Sequence, residues 1–545
     1  MPAPDSSVPA TLTATAINRV RGERTILRDV SLTVAPGTCL GVVGANGVGK
    51  STLLRILAGL ELADAGVVGI SPPDATVGYL AQEPDRNEAE SVRQKLHRVT
   101  GVADAEEQLQ SAADALGRGD PGASDHYATA LQRWQALGAP DVDARVEAVL
   151  DDLGLARELA ELPTAVLSGG QAARVELAAV LVARFDIVLL DEPTNDLDFD
   201  GLARLERFVA ERRGGLAVVS HDRSFLANTV TAVLEIDEHD HGARQYNGGW
   251  AAYLEERATA RRHAQEAYAD YQARRRQLLD RSRRERQWAT TGVARERRRA
   301  DNDKAQRDFR LNRTEQLASR ARRTERALER LDVVDKPWEG WDLQFTIASA
   351  PRAGRVVARL DQAVVRRGTF SLGPLDLEIG WGERLRIAGR NGSGKTTLVG
   401  ALLGHFELAS GQRYVGPGVV AGQLGQDRQA LSGSASLLDA FIARTGLDVT
   451  SARSLLAKFG LGAHVVTSPG RSLSPGERTR SELAVFQASG VNLLVLDEPT
   501  NHLDLPAVEQ LEEALSGYPG TLVLVTHDRS MLETVDVTRT FDLGI

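Results

Sequence analysis

Cysteine is almost missing from this 545-residue chain: the single one, Cys39, lies in the apolar run 38–43. One thiol excludes an intramolecular disulfide framework, a Cys-ligated zinc site and an iron–sulfur cluster. Cys39 reads as a small buried hydrophobe. Long apolar runs are missing as well. None approaches the roughly 18 residues needed to span a bilayer, so no stretch reads as a membrane domain. The start, Met1-Pro2-Ala3-Pro4-Asp5-Ser6-Ser7, is polar and lacks the apolar core of a secretory signal. Residues 1–11 are expected to be a disordered tail, and the cytoplasm is the expected location. Lysine is scarce: Lys50, Lys95, Lys304, Lys336, Lys395 and Lys458 stand against 59 arginines. We take this as a GC-rich coding bias. Each lysine that persists is then the more informative.

The charge that is present is unevenly placed. The chain carries −9 overall, yet residues 257–331 hold 23 basic and 11 acidic residues, about +12. The remainder is therefore −21. A basic stretch lies between two acidic bodies.

Those bodies repeat one pattern. Gly44-Ala45-Asn46-Gly47-Val48-Gly49-Lys50-Ser51 matches G-x-x-x-x-G-K-[ST] between a strand-like run and a helix expected over Thr52–Gly59. Gly389-Arg390-Asn391-Gly392-Ser393-Gly394-Lys395-Thr396 repeats it after Leu385–Ala388. Leu167-Ser168-Gly169-Gly170-Gln171 parallels Leu473-Ser474-Pro475-Gly476-Glu477. Asp191-Glu192-Pro193-Thr194-Asn195 parallels Asp497-Glu498-Pro499-Thr500-Asn501, and Ser220-His221-Asp222-Arg223 parallels Thr526-His527-Asp528-Arg529. In both halves the serine lies 23 positions before the aspartate, and the aspartate 30 before the histidine. Repetition at fixed offsets is much stronger evidence than any single match.

The chemistry such blocks serve is phosphoryl transfer to water. The loop glycines let backbone N–H groups turn inward around phosphate oxygens, at a helix N-terminus whose dipole favours negative charge. Phosphate contacts are expected from Gly44, Asn46, Gly47, Gly49, Lys50, Ser51 and Thr52 in the first half. The second-half counterparts are Gly389, Asn391, Gly392, Gly394, Lys395, Thr396 and Thr397. The Ser51 and Thr396 hydroxyls suit Mg²⁺, as do Asp191 and Asp497 at the ends of apolar strands. The next residues, Glu192 and Glu498, are positioned to polarise a water in line with the γ-phosphate. His221 and His527, at matched offsets, favour a γ-phosphate contact.

This order resembles the nucleotide-binding domain of ABC ATPases. The resemblance implies ATP and Mg²⁺ as cofactors. It also implies composite sites, in which Ser474 and Gly476 close over the Lys50 loop while Ser168 and Gly170 close over the Lys395 loop. It assigns Gln82 and Gln426 to Mg²⁺, with Gln423 as an alternative to Gln426. Two departures stand out. Pro475 replaces the first signature glycine and removes an N–H, although Gly476 still offers one. No aromatic lies near the expected adenine-stacking positions, around Val20–Arg21 and Arg366–Arg367, which predicts loose base recognition.

The halves differ by one insertion of about 38 residues around Thr100–Gly138. Its helical spacing predicts a small arm, either with a partner of its own or as a loop decoration. Residues 253–287 and 305–331 read as two helices with weakly apolar seam positions. An antiparallel hairpin of that length would reach roughly 45 Å. Its tip, about 288–304, holds Trp288, Arg295, Arg297, Arg298, Arg299 and Lys304 as candidate RNA contacts, against a spacer reading of the same helices.

The expected fold is α/β: two P-loop NTPase (ABC ATPase) domains, 12–252 and 341–545, joined by a long antiparallel α-helical hairpin linker, 253–340. Tandem ABC domains with a charged linker and no membrane domain resemble the ABC-F family. That resemblance implies an ATPase pairing its own domains as a monomer on the ribosome, with the linker in the E site near 23S rRNA and P-site tRNA. The Leu-Ser-Pro-Gly-Glu signature and short arm look like actinobacterial members that protect ribosomes from antibiotics. A housekeeping translation factor, the ATPase subunit of a drug efflux transporter, and a DNA-repair ATPase are the alternatives.

Overall fold

Aliphatic runs form the centre of each module. Ile187–Asp191, Gly215–Val219, Leu493–Asp497 and Thr521–Val525 are buried along their whole length. Strands covered on both faces have no polar side to show, which is why these segments do not alternate. The computed structural model describes residues 9–22, 24–73, 75–82, 87–183, 185–195, 197–238, 240–297, 323, 326, 330–331, 354–368, 370–425, 431, 433–501 and 503–544, with backbone alone over 285–297 and at Pro475. It forms two units, residues 1–250 with 341–545, and residues 251–340.

The first module begins with β1 (Thr11–Arg21), β2 (Arg24–Val34), β3 (Cys39–Gly44), α1 (Lys50–Leu57), β4 (Ala65–Ser71) and β5 (Val77–Leu80). A helical region follows: α2 (Val92–Val99), α3 (Val102–Arg118), α4 (Ala123–Ala136), α5 (Val142–Asp152) and α6 (Gly169–Val182). The module closes with β6 (Ile187–Asp191), α7 (Phe199–Glu211), β7 (Gly215–Val219), α8 (Arg223–Thr229), β8 (Ala232–Ile236) and β9 (Ala243–Asn247). Its main sheet runs β5-β6-β7-β3-β8-β9, parallel except for β9, beside an antiparallel sheet β2-β1-β4. Ala10 is buried and β1 starts at Thr11, so the expected tail of 1–11 is too long at that end; residues 1–8 lie outside the described residues. Within the insertion, α3 and α4 pack on one another.

The second unit contains α9 (Gly249–Arg297), 49 residues long. The first linker helix was expected over 253–287; the observed helix runs ten residues further, through Trp288, Arg295 and Arg297. The segment is rich in Ala, Arg, Glu and Gln, all strong helix formers, so the single Gly292 does not stop it. The Tyr268 and Tyr271 ring centroids lie 6.3 Å apart, and Gln272 donates to the Tyr268 hydroxyl at 2.9 Å. Of the expected return helix 305–331, only Arg323, Arg326, Arg330 and Leu331 are described; Arg298, Arg299 and Lys304 lie outside the described residues.

The second module repeats the first: β10 (Val356–Arg367), β11 (Phe370–Gly380), β12 (Arg384–Ala388), α10 (Lys395–Leu403), β13 (Ser410–Val415) and β14 (Ala421–Leu424). Its helical region is α11 (Leu437–Thr445), α12 (Val449–Lys458), α13 (Ala463–Thr467) and α14 (Pro475–Ala488). Then come β15 (Leu493–Asp497), α15 (Leu505–Ser516), β16 (Thr521–Val525), α16 (Arg529–Thr534) and β17 (Arg539–Asp542). The parallel sheet β14-β15-β16-β12-β17 keeps the order of the first module, beside β11-β10-β13.

Candidate nucleotide sites

Each glycine-rich loop leaves the end of a central strand and turns directly into a helix, β3 into α1 and β12 into α10. Gly49 and Gly394 cap those helices at φ 119° and 97°. A Cβ at Gly49 would lie 2.8 Å from Ile26 Cγ2, and one at Gly394 2.9 Å from Phe370 Cζ. Both the left-handed conformation and the close approach require glycine. The lysines fold back over their own loops. Lys50 donates to the carbonyls of Gly44 (2.8 Å) and Ala45 (3.1 Å); Lys395 donates to those of Gly389 (2.8 Å) and Arg390 (3.3 Å). Both lysines are buried.

The carboxylates at the ends of β6 and β15 meet the hydroxyls one residue after each lysine. Ser51 donates to Asp191 Oδ1 at 3.1 Å, and Tyr79 donates to Oδ2 at 3.1 Å; Thr396 hydrogen-bonds Asp497. Thr52 and Thr397 are buried in the first turns of α1 and α10. Glu192 and Glu498 follow at φ 53° and 48°, a region non-glycine residues seldom occupy. Strain at the same position of both modules marks a constraint beyond packing. His221 Nε2 lies 3.1 Å from Glu192 Oε1. His527 Nε2 lies 3.4 Å from Glu498 Oε1 and 2.9 Å from Lys395 Nζ. Gln82 is exposed, two residues beyond β5. Leu80 pairs with Leu190 and Leu424 with Leu496. That register sets Gln423 level with Tyr79; Gln426 lies outside the described residues.

Ser168 and Ser474 are N-caps. Each accepts from the backbone N–H three residues on, while Gln171 or Glu477 accepts from the serine's own N–H. This reciprocal box satisfies two donors that a helix start leaves open. Pro475 takes the first helical position, where a backbone N–H has no intrahelical partner in any case. The proline therefore costs the helix no hydrogen bond, and what it withholds is a donor that a phosphate could have used.

The two modules face one another. A cleft of about 520 Å³ is lined by Ser168 and Gly170 of one and by Asn391, Lys395, Glu498 and His527 of the other, among further residues. Asp198 accepts from the Asn391 N–H and Asp504 from the Asn46 N–H, both at 3.2 Å. Ser474 and Gly476 start α14 and do not line this cleft. Arg223 pairs with Glu512, and Arg529 with Glu206 at 3.0 Å. Between the two pairs the hydroxyls of Ser224 and Ser530 lie 3.2 Å apart. Each of these partners recurs in exchanged roles, so these contacts have the form of an isologous two-fold interface made within one chain.

The ABC transporter family model matches residues 27–195 and 372–501. The tylosin resistance ATP-binding protein of Streptomyces fradiae is 38% identical, over 93% of this chain and 93% of its own. The energy-dependent translational throttle protein of Mycobacterium tuberculosis is 33% identical, over 95% and 88%. The chain belongs to the ABC-F family of ATPases. It is therefore an ATP-hydrolysing enzyme. Among solved structures, the archaeal ribosome recycling factor in complex with a ribosomal stalk protein aligns at TM-score 0.57 and 18% identity, over 97% of this chain and 87% of that one; this likeness concerns the fold.

Burial sets the electrostatics of the ABC-F sites. It pushes the Glu192 carboxyl up to about 7, opposed by Lys50. It also raises Asp191 and Asp497 and lowers both lysines. His527 is pushed down to about 4, by burial first and then by Lys395. It is neutral at ordinary pH, so its approach to Glu498 is not an ion pair, and its Nε2 accepts from Lys395. His221 instead directs Nε2 at a carboxylate. Sequence reasoning missed Phe370, which lines the cleft beside Gly394 and Thr396. The expected adenine-stacking position, around Arg366–Arg367, lies on the far side of the β10–β11 turn. The counterpart of Phe370, 25 positions before the loop lysine, is Thr25. Among the described residues no helix is long and apolar enough to cross a membrane.

Proposed function

We propose that this ABC-F protein is a cytoplasmic, ribosome-associated ATPase that confers antibiotic resistance by ribosome protection. One observation carries the reading: 38% identity to a tylosin resistance protein, extending over 93% of both chains. ATP closes the two modules across the Arg223–Glu512 and Arg529–Glu206 contacts. The resulting monomeric shape occupies the ribosomal E site. The linker, an antiparallel helical hairpin over 253–340, then reaches past P-site tRNA to 23S rRNA near the peptidyl-transferase centre, with Trp288, Arg295, Arg297, Arg298, Arg299 and Lys304 as its contacts. Arginine neutralises phosphate there.

Hydrolysis releases the protein. Glu192 and Glu498 act as general bases, and the Glu192 carboxyl, pushed up to about 7 by burial, suits a proton acceptor at physiological pH. His221 and His527 meet the γ-phosphate. Ser51, Gln82 and Asp191 hold Mg²⁺ in one site; Thr396, Gln426 and Asp497 hold it in the other. Their hard oxygen donors fit that ion, and the paired Ser51 and Asp191 oxygens at 3.1 Å support the assignment. Bound there, Mg²⁺ offsets charge on the phosphates. Phe370 stacks on the base in the second site. The 33% identity to a translational throttle protein favours a second reading, a housekeeping factor acting on initiating or stalled ribosomes.

The test uses the Glu192→Gln, Glu498→Gln double variant with ATP. It should co-sediment with 70S ribosomes and fail to turn over. Recovery in a membrane fraction, with none on ribosomes, would sink the reading in favour of an efflux subunit. Binding without any effect of the wild type on drug sensitivity would select the housekeeping factor.

A further inference from the structure

The two composite sites are built from a repeat, yet one side chain crosses the interface in only one of them. Phe199, the first residue of α7 in module one, places its ring 5.1 Å from the His527 ring of module two, tilted 66° in an edge-to-face contact. The Arg386 and Arg529 guanidinium carbons lie 5.2 Å and 5.9 Å from the same Phe199 centroid. Both arginines belong to module two. Arg529 also holds Glu206 of module one.

The repeat offset locates the counterparts. Phe199 corresponds to Leu505, which has no ring. Arg386 on β12 corresponds to Gly41 on β3, where even a Cβ would lie 2.9 Å from Val230 Cγ1. The Lys50 site thus has neither the aromatic, which would come from module two, nor the room in module one for the counterpart of Arg386. His221 has its Nε2 on Glu192, while His527 has its Nε2 on Lys395. An edge-to-face pair sets the positive edge of one ring against the electron-rich face of the other, so the contact orients a neutral imidazole. The guanidiniums favour the negative face of the phenyl ring and hold it in turn.

We propose that Phe199 is a positioning residue for the Lys395 site: it sets the orientation of His527 from across the interface, so that hydrolysis in this site depends on module closure through a contact that the Lys50 site lacks. The two ATP sites are therefore unequal by construction. This rests on the reading of Glu498 and His527 as hydrolytic residues.

The experiment measures ATP turnover of the full chain in two backgrounds. With Glu192→Gln only the Lys395 site turns over; with Glu498→Gln only the Lys50 site does. Phe199→Leu, which copies Leu505, should lower kcat about tenfold in the first background with KM nearly constant, the size of a ring contact expressed in the transition state. Phe199→Tyr should restore it. In the second background Phe199→Leu should change nothing, which also shows that the variant folds. Equal losses in both backgrounds, or a rise in KM with kcat kept, would overturn the proposal. Loss of all turnover in either single-glutamine background would overturn it too, since the sites would then not be separately controlled. A double glutamine variant that still hydrolyses ATP fails the glutamate assignment instead, and is read separately.

Discussion

His527 shows how far one residue departs from its free behaviour. It is held near pKa 4, while an unfolded chain protonates its histidines near 6.5. The unfolded state therefore binds more protons between those values, and stability must fall as pH drops through that window. One pKa unit corresponds to about 1.4 kcal/mol, so by pH 5 the site costs the fold about 2 kcal/mol at most. His527→Gln removes this term. Thermal melts without nucleotide should show the wild type losing more stability than the variant between pH 7.5 and pH 5; parallel losses would place the pH dependence elsewhere. Glu192, Glu498, His221 and His527 were legible as types at offsets. That His527 Nε2 meets Lys395 was not, because it depends on where the lysine rests.

At the scale of elements, the signature helices are tied down by ion pairs below their caps. Lys95 on α2, buried, pairs with Glu176 on α6; Arg444 on α11 donates to both oxygens of Glu482 on α14, at 3.0 and 2.9 Å. Lys95 is one of only six lysines, and it has a job that faces inward. Removing one partner of a buried pair costs roughly 3–5 kcal/mol, whereas replacing both by apolar groups is often neutral. Lys95→Ala should shift urea denaturation by about that much, and Lys95→Met with Glu176→Leu should recover most of the loss. A double variant as weak as the single would mean that the packing, not the charge, was lost. The capping boxes were written in plain view as Ser-x-x-Gln and Ser-x-x-Glu. The same serines serve both as helix caps and as candidate phosphate contacts.

For the whole molecule, the basic stretch and the acidic modules are separate statements. The salt dependence of binding counts neutralised phosphates, with a slope near 0.7–0.9 per contact. Replacing Arg297, Arg298 and Arg299 by Ala should weaken ribosome binding and flatten log K against log salt by up to about three contacts' worth. An unchanged slope would mean that these arginines do not touch phosphate. The interface between modules was legible only as an expectation borrowed from a family. Its particular contacts, Arg223 to Glu512 and Arg529 to Glu206, join side chains 289 and 323 positions apart. No local pattern announces such pairs.

The amino-acid sequence by itself determined the repeated module, both phosphate loops, the carboxylate pairs and the placement of charge. Each of these depends on short spacings: a glycine that must turn, an apolar run that must be buried, an acid at a strand's end. Tertiary structure alone decided that Phe370 lines the cleft and that Phe199 reaches His527 while Leu505 offers no ring. It also decided that Gly41 leaves no space where Arg386 stands. These are questions of which distant surfaces meet, and two nearly identical local sequences can answer them differently because packing acts through neighbours that the repeat does not share.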